Sequence, residues 1–240
     1  MSSGRRARAA ADRLRALPGE ERPVSLPAAK WRSALPDDAW PAGFPKSGQV
    51  WRQDVFDVAT RWREDRASAR QLLAAVLMWT DGEQASGRRR AVRALADDPA
   101  GDRLEAALAG LRVERPGTAA LRAAYLALRT TSRLPDLDSD TCTRLLYFAG
   151  YRRGVGGVQP LMLDETIAGR LPRAAEISSP ASRGSSLEWV RYIAWAAQQA
   201  ADDAVEPDRV ELDLTAGGLR YGEGGRAVRT EEVRGRHARR

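Results

Sequence analysis

The sequence predicts an all-α fold, one mainly helical domain preceded by a wrap rich in proline and tryptophan. Three observations predict it. From Val50 onward apolar residues recur at helical spacing, the breaks between these stretches are short and carry Gly or Pro, and only Arg209 to Leu214 alternates as a strand does. No internal repeat of fixed period is visible.

Taken in order, residues 5–17 mix Arg and Ala with Leu14 and Leu17, which predicts a short, frayed helix inside a basic tail over residues 1–24. Six of the thirteen prolines fall between Pro18 and Pro45, together with Trp31, Trp40 and Phe44. Prolines this dense argue against a helix, so the stretch reads as an ordered wrap whose aromatics pack on the body. Val55, Phe56, Ala59 and Trp62 then follow i, i+1, i+4, i+7, and Leu72, Leu73, Val76, Leu77 and Thr80 obey the same rule. The run Leu72–Trp79 is apolar on most faces, which makes that helix central. Further helices are expected over about 87–97, 101–112, 117–130, 140–151, 164–171 and 186–204, with Ser185 and Glu188 as a capping box for the last. Arg209-Val-Glu-Leu-Asp-Leu214 reads as a strand without an evident partner. The domain is expected to span 25–215, with a second basic tail over 216–240.

Composition removes several function classes. The longest unbroken apolar run is the eight residues Leu72–Trp79, where a bilayer needs about 20. The basic start Met1-Ser-Ser-Gly-Arg-Arg6 is not followed by an apolar segment, so no secretory signal is expected. A single cysteine, Cys142, forms no internal disulfide and fits a reducing cytoplasm. The single histidine, His237, lies in the Arg-rich run 234–240. That excludes a Ser-His-Asp triad, a Cys-His pair and a histidine-built zinc site. No metal and no cofactor is expected, and any enzymatic chemistry rests on carboxylates and arginines.

The net charge of +7 is unevenly spread. Residues 1–17 carry five arginines against Asp12, residues 226–240 six arginines against Glu231 and Glu232, and the remainder sums to −1. The tails can attract phosphates weakly and without sequence preference. Two lysines against 37 arginines, with abundant alanine, equally fit a high-GC composition. Inside the folded part, Arg88, Arg89, Arg90 and Arg93 form the densest basic cluster, readable as a phosphate-facing surface or as a solvated face paired with Asp97 and Asp98.

The most informative stretch is Leu134-Pro-Asp-Leu-Asp-Ser-Asp-Thr-Cys-Thr-Arg144-Leu-Leu-Tyr-Phe-Ala-Gly150, followed by Gln159-Pro-Leu-Met-Leu-Asp164-Glu-Thr-Ile-Ala-Gly-Arg-Leu171. It reads as a tight turn, an apolar helix, a glycine loop, a short apolar run, and an aspartate opening a new helix. This arrangement resembles the helix-hairpin-helix DNA glycosylases, and most closely the bacterial proteins with an 8-oxoguanine DNA glycosylase (OGG) fold. The phrases Thr-Arg-Leu-Leu-Tyr-Phe-Ala and Pro-Leu-Met-Leu-Asp carry the likeness, which covers roughly residues 50–215. It implies a base-excising enzyme acting in repair or in defence against phage. Arg144 stands where the superfamily has a lysine, and Asp164 matches its aspartate. Breaking an N-glycosidic bond builds positive charge on the sugar, which a carboxylate at a helix N-terminus can stabilise. Aspartate is equally an ordinary N-cap.

Two departures matter. Lysine can lose its proton and form a Schiff base, whereas guanidinium stays protonated and cannot attack, so no lysine-type lyase chemistry is expected. The hairpin carries Asp136, Asp138 and Asp140 where a phosphate-gripping turn offers bare glycine backbone; these suit helix capping, or a cation, and should repel DNA. Trp79 and Tyr147 are the pocket candidates, expected near Arg144. The stripe Trp189, Tyr192 and Trp195 reads as core, and Gly154-Val-Gly-Gly157 lacks the features of a phosphate loop. Two readings follow. One is a glycosylase using Asp164 and Arg144, acting on DNA or a modified nucleobase or nucleoside. The other is an inactive module of the same fold that binds nucleic acid, nucleotide or a protein partner.

Overall fold

The computed structural model describes residues 23–45, 48–175, 177, 184–216, 219–221 and 227–229; the helix expected at 5–17 and His237 lie outside them. In the wrap, β1 (Val24–Ser25) pairs antiparallel with β2 (Gln49–Val50). Between them lie α1 (Ala28–Arg32) and a 3-10 turn at Asp37–Ala39. The proline-dense stretch therefore does contain a helix, fitted into the proline-free gap between Pro27 and Pro36. Trp31, Trp40 and Phe44 are buried, and the Trp31 indole N–H donates to the Gly82 carbonyl at 2.7 Å.

The body consists of α2 (Arg52–Arg63), α3 (Ala69–Asp81), α4 (Ala85–Asp97), α5 (Asp102–Leu108), α6 (Thr118–Arg129), α7 (Ser139–Gly150), the short α8 (Glu165–Ala168), α9 (Ser186–Asp203) and α10 (Pro207–Ala216). Helix α3 is central, as its all-round apolar sequence requires: Leu72 to Met78 are all buried, and it packs on α2, α4, α5 and α7. A capping box sets its start, with the Gln71 N–H on the Ser68 hydroxyl and the Ser68 N–H on the Gln71 amide oxygen. Gly82 ends it at φ +48°, where a Cβ would lie 2.5 Å from Val24 Cγ1. Around this axis α6 packs on α7 and α9, and α9 on α10.

One element is corrected. Residues 209–214, read as a strand, are helical within α10, which begins at Pro207, where the missing N–H is no loss. Asp208, Val210, Glu211 and Leu214 are all buried, a helical stripe that includes two carboxylates. The alternation misled because it assumes that acidic residues face water. Beyond α10, β3 (Leu219–Tyr221) and β4 (Ala227–Arg229) pair antiparallel, inside the stretch read as a basic tail. Among the described residues, no helix is long and apolar enough to cross a membrane.

Candidate active site

Helix α7 starts at Asp138, whose side chain accepts the Thr141 N–H at 2.7 Å. Its far end is stabilised by cations: Arg63 donates to the Phe148 and Ala149 carbonyls, and Arg152 to those of Ala149 and Tyr151. Arg144 stands in the second turn of α7 and Asp164 at the N-cap of α8. The Asp164 Oδ1 accepts the Ile167 N–H at 3.0 Å, and its Oδ2 accepts from Arg144 Nη2 at 3.2 Å. Both side chains are part-exposed, at 22% and 27%. The two residues singled out in sequence, twenty positions apart, thus meet at one place on the surface.

What holds Asp164 there is the extended segment 160–163, which no sheet supports. Its backbone groups are instead satisfied by side chains from three helices. The Leu163 N–H donates to the Thr143 hydroxyl of α7 at 3.0 Å, the Met162 N–H to Glu211 Oε2 of α10 at 2.8 Å, and the Leu161 carbonyl accepts the Trp189 indole N–H of α9 at 2.9 Å. Buried backbone groups left without partners are costly, so these contacts fix the path of the chain into Asp164. None of the three was singled out as a site residue from sequence. Thr143 lies beside Arg144 and was open to notice; Glu211 was hidden by the strand reading.

Beneath the surface pair lies a polar cluster. Arg52 donates to the Tyr147 hydroxyl at 3.0 Å, its guanidinium lies 3.6 Å from Glu211 Oε1, and Tyr147 in turn reaches Asp208 Oδ2 at 3.5 Å. Burial pushes the Glu211 carboxyl up to about 7, with Arg52 and the Met162 N–H pulling the other way. Burial also raises the Tyr147 and Tyr151 hydroxyls far above their usual value. Tyr147 is therefore an interior residue, 0% exposed, and is corrected as a wall of an open pocket. Its ring lies inside because α7 packs on α2 and α3, where Phe56 lies edge-on to both Tyr147 and Phe148. Trp79 is half-buried, edge-on to Phe148 and 5.5 Å below the Arg52 guanidinium.

The α4 arginines have different fates. Arg90, expected as a nucleic-acid contact, holds both Asp81 carboxylate oxygens at 2.6 Å and is only 19% exposed, so its guanidinium is engaged in tying α4 to the end of α3. Gly87 permits this approach, since a Cβ there would lie 2.2 Å from the Asp81 Cβ. Arg93 pairs with Asp136 at 2.6 Å, and Arg90 lies 3.7 Å from Asp138. The expected partners Asp97 and Asp98 serve Arg103 instead, because both precede α5, on which Arg103 stands. Burial works against the charged form of Asp138, yet hydrogen bonds from Thr141 and the charges of Arg90 and Arg144 hold its carboxyl below the usual range. The third hairpin acid, Asp140, lies in the first turn of α7. Cys142 is buried, which pushes its thiol up to about 11 and leaves it an unreactive thiol at neutral pH. Among the described residues, no group of three or more His, Cys, Asp or Glu is placed to hold a metal ion.

Residues 18–214 match the family described as "Putative 8-oxoguanine DNA glycosylase OGG-like protein". The chain belongs to this family. The match takes in the proline-dense wrap as well as the helical body, so the wrap is part of the OGG-like unit. No curated protein and no solved structure matches the chain. The all-α glycosylase-like fold expected from the sequence is the fold of this OGG-like protein.

Proposed function

We propose that this OGG-like protein hydrolyses the N-glycosidic bond of a damaged or modified purine in DNA, with 8-oxoguanine as the first substrate to test, and does so without lyase activity. The observation that carries this reading is the Arg144–Asp164 pair, part-exposed and fixed at the entry to α8. In the free protein the two charges offset each other. A phosphate of the bound nucleotide competes for the Arg144 guanidinium, a favourable exchange because arginine pairs strongly with phosphate oxygens. Asp164 is then left facing the sugar. As the C1′–N9 bond breaks, its electron pair leaves with the base and positive charge develops on the sugar ring. The carboxylate stabilises that charge and orients water, whose oxygen bonds to C1′ while its proton ends on the departing base. Arg144 cannot form a Schiff base, so the strand stays intact at an abasic site.

The test is base release from duplexes carrying 8-oxoguanine or other modified purines, followed by mass spectrometry. The expected result is free base with an uncut strand. Binding of a modified duplex with no release of any base would favour the inactive, nucleic-acid-binding module.

A further inference from the structure

The hairpin before α7 is unsuited to gripping a phosphate. Its left-handed residue is Asp136, at φ +60°, and the carboxylates of Asp136 and Asp138 face Arg93 and Arg90 of α4. These acids act as tethers for α4. The same helix borders a groove with an apolar floor of Ala34, Ala85 and Val92, rimmed by Arg88, Arg89 and Arg93. Positions 85, 88, 89, 92 and 93 are spaced i, i+3, i+4, i+7 and i+8, one continuous helix face.

The rim arginines are available in a way that Arg90 is not. Arg89 is exposed and makes no hydrogen bond or ion pair among the described residues. Arg88 touches the Glu83 carbonyl at 3.3 Å. Arg93 shares Asp136 across a pair that is 60% and 40% exposed, which water screens and a phosphate can displace. A different side of α4 meets α7: Arg90 Nη1 lies 3.5 Å from the Thr141 hydroxyl in the first turn of α7, the helix that carries Arg144.

We propose that the phosphodiester backbone of duplex DNA docks on this face of α4, with Arg88, Arg89 and Arg93 as its phosphate contacts and Asp138 positioning the helix through Arg90. The inference rests on the DNA reading above and names where that DNA is held. Binding is measured by fluorescence anisotropy of a labelled, mixed-sequence duplex on the full chain, from about 50 to 200 mM salt. The double variant Arg88→Ala and Arg89→Ala should lower the slope of log K against log salt by about 2, roughly 0.9 per lost contact, and weaken binding at least about tenfold. Alanine favours helix, so α4 persists, as circular dichroism would verify. Asp136→Asn, which releases Arg93 and removes a negative charge, should tighten binding several-fold. An unchanged slope in the double variant, with the parent still binding, overturns the α4 docking and leaves the DNA reading standing. A full chain that binds no duplex at the lowest salt removes both.

Discussion

Replacing Glu211 by Gln should make the protein less sensitive to rising pH. Glu211 is 1% exposed and faces Arg52 from α2, the Met162 N–H from the extended segment, Asp208 on its own helix, and Asp164. Burial pushes its carboxyl from 4.5 up to about 7. A carboxyl whose folded value is raised contributes stability that is fully present below about pH 4.5 and is lost as pH climbs through about 7, because the unfolded chain ionises first. That gap, at about 1.4 kcal/mol per pH unit, amounts to about 3 kcal/mol at most. Gln mimics the protonated acid and still accepts the Met162 N–H. The variant should therefore match the parent near pH 4.5 and exceed it by up to about 3 kcal/mol near pH 8. Urea unfolding followed by circular dichroism at several pH values measures this. A stability difference that does not vary with pH, or a variant weaker than the parent near pH 8, would mean that Arg52 holds Glu211 ionised throughout and would refute the reasoning.

Other consequences follow from the same contacts. Thr143→Val strips the Leu163 N–H of its acceptor and should cost about 1–3 kcal/mol in denaturant unfolding. It should also slow base release, by loosening the path into Asp164. Gly87→Ala forces a methyl group into Asp81 and should destabilise by about 1–3 kcal/mol, with unfolding midpoints as the readout; an unchanged midpoint would mean that α4 shifts freely. Incubation of the parent with a lesion-bearing duplex and borohydride should trap no covalent adduct on a denaturing gel, since Arg144 offers no free amine.

The helical frame was legible because burial follows the 3.6-residue period wherever side chains are apolar: α3 and α7 are read directly from Leu72–Met78 and from Leu145–Phe148. Asp164 was legible for a different reason, as a capping residue between a short apolar run and a helix. Misreadings arose where polar side chains are buried. Asp208 and Glu211 lie in the interior against Arg52, Tyr147 and Arg153, and a pattern that sends every carboxylate to solvent turns their helix into a strand. Tyr147 was placed on a pocket wall for its closeness to Arg144, but three positions on it is turned by about 60°, and Phe56 and Arg52 of α2 cover its ring and hydroxyl. The α4 arginines looked alike in sequence; only the fold brings Asp81 and Asp136 against two of them and leaves Arg89 exposed.

The central claim, that Asp164 serves glycosidic hydrolysis, is tested most directly by comparing Asp164→Asn with the parent in a single-turnover base-release assay on an 8-oxoguanine duplex and a panel of other modified purines. Asparagine caps a helix about as well as aspartate, so the α8 N-terminus and the fold are retained while the carboxylate charge is lost. The account predicts free base from the parent on at least one substrate, with the strand uncut, and none from the variant. Undiminished release by Asp164→Asn, or a parent that releases no base from any duplex it binds, would contradict it.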